Sequence, residues 1–92
     1  MREKNKDNNE TMSLIQLVIE SSIERLEYML ESLERQLDNV GYWIDFFQTH
    51  RLKLDEEKER RYQSKLLNQC RSMEKKLRHL RRRHATLLSN PL

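Results

Sequence analysis

Glycine and proline occur once each in this 92-residue chain, at Gly41 and Pro91. That scarcity excludes a glycine-rich loop able to cradle phosphate, because such a loop needs backbone N–H groups at close approach. Cysteine is just as rare. Cys70 alone cannot close an intramolecular disulfide, which points to a reducing compartment, cytoplasmic or nuclear, and leaves only an intermolecular bridge open. Long apolar runs are missing too. The longest uncharged stretch, Thr11 to Ile19, falls well short of the roughly 18 apolar residues a membrane span requires, so no membrane partner is expected. The segment before it mixes Glu3, Asp7 and Glu10 among its bases, and no small-residue cleavage site follows, so secretion is not expected and the sequon at Asn9 carries no meaning.

The side chains that carry chemistry are also sparse. His50, His79, His84 and Cys70 show no metal-ligand spacing, and no nucleophile, base and orienting acid come together in any motif. The sequence therefore predicts no catalytic residue, no metal, no cofactor and no small-molecule substrate. It is read as a non-enzyme.

What the chain does have is charge and periodicity. Asp, Glu, Lys and Arg make up 36% of it, and with one glycine and one proline this is the composition of a long-helix or coiled-coil protein. Residues 1–11 are polar without period and are expected to form a disordered tail. From Thr11 or Ser13, either of which could cap a helix, apolar residues fall at Met12, Ile19, Ile23, Leu26, Leu30, Leu33, Leu37, Val40, Ile44 and Phe47, with Gln16 the one gap. This 4-3 spacing keeps its phase across Gly41. The stretch "VGYWIDFF" is therefore read as continuous helix, with the glycine tolerated at about 1 kcal/mol relative to alanine. Helix 1 is placed at about 12–48.

The apolar phase lapses in "QTHRLKLD", and Asp55 followed by Glu56 and Glu57 has the acidic character of a helix start. A turn at about 49–54 and a second helix at about 55–88 follow. This helix carries Leu66, Cys70, Met73, Leu77, Leu80, His84 and Leu87, and stops at Ser89-Asn90-Pro91. Two helices of similar length joined by a short loop fold back antiparallel.

A turn centred near Leu52 makes facing residue numbers sum to about 104. Trp43 then faces Tyr62, Leu30 faces Met73 or Leu77, Glu20 lies near Arg81 and Glu27 near Arg78. Charge agrees with this pairing: residues 12–50 carry seven acids and two bases, residues 51–92 thirteen bases and five acids. The fold class is thus all-α, an antiparallel two-helix coiled-coil hairpin spanning 12–89. A chain this short buries little core alone, so it is expected to complete a helical bundle by self-association or with partner helices.

Three features point outward. Helix 1 carries more apolar residues than one seam covers, in Leu14, Leu17 and Val18 near its start and in the stripe Ile15, Met29 and Trp43. Tyr42 and Phe46 fall off the seam on adjacent turns. Helix 2 carries the basic run "RSMEKKLRHLRRRH", in which Arg71, Lys75, Arg78 and Arg82 share a solvent side while Lys76 and Arg83 form another. The expected work is protein–protein interaction through Leu14, Leu17, Val18, Met29, Tyr42 and Phe46, as a small assembly subunit, adaptor or chaperone-like regulator. The alternative is nucleic-acid binding through Arg71, Lys75, Arg78 and Arg82.

Overall fold

In the protein's structure, a computed structural model, the backbone is described for residues 2–89 and the side chains for Leu14 to Ser89. Two helices, α1 (Arg2–Thr49) and α2 (Lys53–Ser89), pack against each other as an antiparallel hairpin. The rod they form measures 74 × 15 × 14 Å.

The 4-3 pattern becomes the seam. Ile19, Leu33, Val40 and Ile44 of α1 are buried, as are Leu66, Cys70 and Leu77 of α2, with Leu30, Leu37 and Met73 packed against them. Burying this stripe stabilises the pair by roughly 25 cal/mol per Å² of apolar surface removed from water. Gly41 lies inside α1, as the unbroken phase of Leu37, Val40 and Ile44 implies. Towards the turn, the seam of α2 continues at the same spacing with half-buried polar residues, Gln63, Glu59 and Glu56.

The turn is tighter than 49–54. The N–H of Leu52 donates to the carbonyl of Phe47 at 2.8 Å and that of Arg51 to Gln48 at 3.2 Å, while Arg51 takes a left-handed conformation with φ 57°. These paired bonds close the last turn of α1 in a Schellman motif, in which glycine usually holds the left-handed position. The carbonyl of Phe46 accepts from both the backbone N–H and the ring Nδ1 of His50, the latter at 2.8 Å. A carbonyl can only accept, so Nδ1 carries the proton. α2 then begins at Lys53, two residues before the expected start, because the carbonyl of Leu52 already accepts from Glu56 N–H at 2.9 Å. Asp55 and Glu56 sit in its first turn, where the helix dipole favours them.

At the other end, α1 is helical from Arg2 and runs through Thr11 and Ser13, so neither caps it and residues 2–11 continue the helix. Arg, Glu and Lys in this segment are good helix formers while Asn5, Asp7, Asn8, Asn9 and Thr11 are not, so the extension rests on a helix already nucleated by packing, which grows at one hydrogen bond per residue. The side chain of Met12, expected at the head of the seam, and the expected stop at Asn90-Pro91 lie outside the described residues.

Register follows from three cross-hairpin contacts. Tyr62 hydroxyl donates to Gln36 Oε1 at 3.3 Å, Arg81 to Glu27 at 3.0 Å, and His84 Nε2 lies 3.0 Å from Glu20 Oε1. The expected centre of about 104 is kept, but individual partners differ by about one turn: Glu27 takes Arg81 rather than Arg78, and Glu20 takes His84 rather than Arg81.

Candidate interaction face

The hairpin has two long sides, and the rows of α1 at seven-residue spacing separate them. Every acidic residue of α1 from Leu14 onward lies on two adjacent rows: Glu20, Glu27 and Glu34 on one, and Glu24, Glu31, Asp38 and Asp45 on the other. The remaining outward rows, Ile15-Ser22-Met29-Gln36-Trp43, Val18-Arg25-Ser32-Asn39-Phe46 and Leu14-Ser21-Tyr28-Arg35-Tyr42, contain no carboxylate. Along α1 from Leu14 onward, one side of the rod is thus acidic, and the other is acid-free and studded with apolar groups.

On the acidic side, a groove of about 390 Å³ is lined by Glu27, Glu31 and Glu34 of α1 against Glu74, Arg78 and Arg81 of α2, with Leu30 and Leu77 at its floor. The Arg81–Glu27 pair spans it, yet both side chains are about half exposed, which limits the pair to a few tenths of a kcal/mol. The four carboxylates that share this groove with Arg78 also dilute the positive face that Arg71, Lys75, Arg78 and Arg82 were expected to present. All four of those bases are exposed, but only Arg71, Lys75 and Arg82 lie outside this groove.

On the acid-free side the groove is different in character. One stretch of about 480 Å³ runs between Tyr28, Met29, Ser32 and Gln36 of α1 and Gln69, Ser72, Met73 and Lys76 of α2. A second, also about 480 Å³, lies nearer the open end between Leu14, Ile15, Val18 and Ser22 of α1 and Leu80 and Arg83 of α2.

All six residues expected to contact a partner are exposed, with Leu14, Val18 and Tyr42 each above 60%. Leu14, Val18, Met29, Tyr42 and Phe46 belong to the acid-free rows. Leu17 does not: it heads the row continued by Glu24, Glu31, Asp38 and Asp45, so it widens the apolar cuff at the open end but faces away from the groove.

Near the turn, Trp43 is the hub of an aromatic ladder within α1. Its ring centroid lies 5.5 Å from those of Tyr42 and Phe46 and 5.8 Å from that of Phe47, on which it stacks. Phe46 in turn sits 4.2 Å from the His50 ring. Tyr62, expected to join this cluster, instead reaches Gln36. The ladder has few apolar groups opposite it because α2 offers Glu56, Glu59 and Gln63 there, which leaves Trp43 40% exposed. Tyr28, at 68%, is an exposed aromatic that sequence reasoning passed over. The signal was its place midway along the row from Leu14 to Tyr42.

Cys70 lies in the seam, where burial pushes its thiol up, and the carboxylates of Glu74 and Glu34 add to the rise. Among the described residues, no three His, Cys, Asp or Glu side chains converge as metal ligands would, and no helix is long and apolar enough to cross a membrane. No family model matches the chain, and neither a curated protein nor a solved structure is significantly similar to it.

Proposed function

We propose that this protein is a non-enzymatic interaction module that presents the acid-free side of its hairpin to other helices, as a small assembly subunit or adaptor. One observation carries the reading: all the acids of α1 from Leu14 onward are confined to one side, while Leu14, Ile15, Val18, Met29, Tyr42 and Phe46 remain exposed on the other. Solubility alone favours charges distributed around a rod. Keeping carboxylates off one long side has a physical rationale if that side is to be desolvated, because an unpaired charge taken out of water is costly. Each apolar side chain covered there contributes up to about 1.5 kcal/mol, since a third to two thirds of each is exposed in the hairpin.

The test is a pair of double variants, Leu14→Asp/Val18→Asp and Tyr42→Asp/Phe46→Asp. Both should keep the helical circular dichroism of the wild type, since these positions lie outside the seam. They should also lose self-association in light scattering, or lose partners captured by the wild type from the same extract. Unchanged mass and unchanged capture would overturn the reading. Nucleic-acid binding through Arg71, Lys75 and Arg82 would show itself as binding that survives both variants and weakens steeply with salt.

A further inference from the structure

We propose that the acid-free groove receives an amphipathic helix of another protein whose apolar ridge is flanked by carboxylates. This rests on the reading of that side as an interface and adds the chemistry of what covers it. A groove between two antiparallel helices accepts the side-chain ridge of a third, completing a bundle. Ile15, Met29 and Trp43 recur along its α1 border every fourteen residues, about 21 Å apart, so the anchors extend over about 42 Å and match a helix of about 28 residues.

The charge of the borders selects the occupant. The α1 border holds no carboxylate, and the α2 border, the row Asp55-Tyr62-Gln69-Lys76-Arg83, contributes Lys76 and Arg83 within the two lined stretches and carries its one acid at the turn, beyond them. A ridge laid between them leaves these cations at its rim, where opposite charge fixes register and speeds encounter, and like charge repels.

A second copy of this chain fits less well. Its matching side brings an apolar ridge with the same cations and no α1 carboxylate to answer them. Its acidic side brings carboxylates with few apolar groups among them. A twofold pairing through one side repeats the same charges on both faces. Duplex nucleic acid answers the cations but not Ile15 and Met29, which would be covered by phosphates rather than by apolar groups.

Trp43, the only tryptophan, continues the α1 row of Ile15, Met29 and Gln36 beyond the lined stretches and is 40% exposed, so its emission reports a helix long enough to cover all three anchors. Two synthetic peptides of about 28 residues are titrated, with the same 4-3 leucine and isoleucine ridge but flanked by Glu in one and Lys in the other. The Glu-flanked peptide should shift Trp43 emission to the blue and bind about tenfold tighter at about 50 mM salt, an advantage that shrinks at 1 M. In Lys76→Glu/Arg83→Glu the preference should reverse.

Equal binding of the two peptides would overturn the proposed flanks while leaving the interface reading intact. So would a stable dimer of the protein alone with Trp43 already shifted, which would make the occupant a second copy. Binding of neither peptide to a monomeric protein overturns the proposal. A shift of Trp43 by a DNA duplex and by neither peptide overturns both the proposal and the reading beneath it.

Discussion

His84 Nε2 lies 3.0 Å from Glu20 Oε1 across the open end of the hairpin, joining residues 64 positions apart and placing a polar contact in a seam otherwise lined there by Ile19, Leu80 and Leu87. The Glu20 side chain is 43% exposed, so removing its partner leaves a carboxylate that water still solvates.

His84→Leu should therefore stabilise the hairpin, by about 1 kcal/mol, since leucine fills a half-buried seam position and no buried charge is orphaned. For a chain of this size that raises the thermal midpoint by about 4–8 °C. A midpoint that falls instead would show that the Glu20 contact outweighs leucine burial. The specificity cost expected of losing a polar seam residue would appear as mixed masses in light scattering.

Gly41→Ala is expected to raise stability by about 1 kcal/mol. A Cβ built at Gly41 meets nothing within 4 Å, and the backbone there is helical, so the substitution removes the conformational freedom of glycine without a steric penalty. Urea denaturation compared between the two proteins measures it. A loss of stability would mean that this part of α1 faces close packing that the hairpin alone does not provide, as in an oligomer.

Arg51→Gly should also stabilise. Arginine at φ 57° holds the position that ends α1, and the left-handed region costs a side-chain-bearing residue about 1–2 kcal/mol. Part of that is offset by the greater freedom of glycine in the unfolded chain, which leaves a net gain of about 0.5–1 kcal/mol. Denaturant unfolding with an unchanged slope would locate the gain in the native turn.

Cys70 gives the chain a pH dependence of defined sign. Its thiol is pushed up by burial and by Glu74 and Glu34, so the folded state holds a proton that the unfolded state releases. That contribution is fully present below the ordinary thiol value of about 8.5 and is lost as pH rises above it. Stability should decline with pH above that point, and Cys70→Ala should remove that part of the slope. Iodoacetamide should label the folded protein markedly more slowly than the protein in urea, because the thiolate is the reactive species.

Much of the fold is legible in spacing alone. Leu33, Leu37, Val40 and Ile44 hold a 4-3 phase that only a helix satisfies, and that phase carried the reading through Gly41. Register was legible to within about a turn. The sum near 104 depends on loop length, and the three-residue closure at His50–Leu52 uses bonds from Arg51 and Leu52 that side-chain patterns do not encode. That is why Glu27 meets Arg81 and Glu20 meets His84. The start of α1 at Arg2 was not legible, because residues 2–11 have no apolar period and mix good helix formers with Asn, Asp and Thr. For the candidate face, the exposed apolar residues could be named in advance. One detail needed the register: that Lys76 and Arg83 border the same groove as Met29 and Ile15. That Leu17 belongs to the acidic side was legible in its seven-residue spacing from Glu24 and Glu31.

The shape of the rod governs how this molecule behaves when it diffuses. Its radius of gyration is 20.9 Å, against about 12 Å for a globular chain of equal length; a globular protein with that radius would contain roughly 370 residues. On a sizing column the monomer therefore elutes early and imitates an oligomer. In small-angle scattering, two rods laid side by side change the radius of gyration little, because length dominates it, whereas two rods joined end to end nearly double it. Scattering thus separates lateral coverage of the acid-free groove from association through the tips.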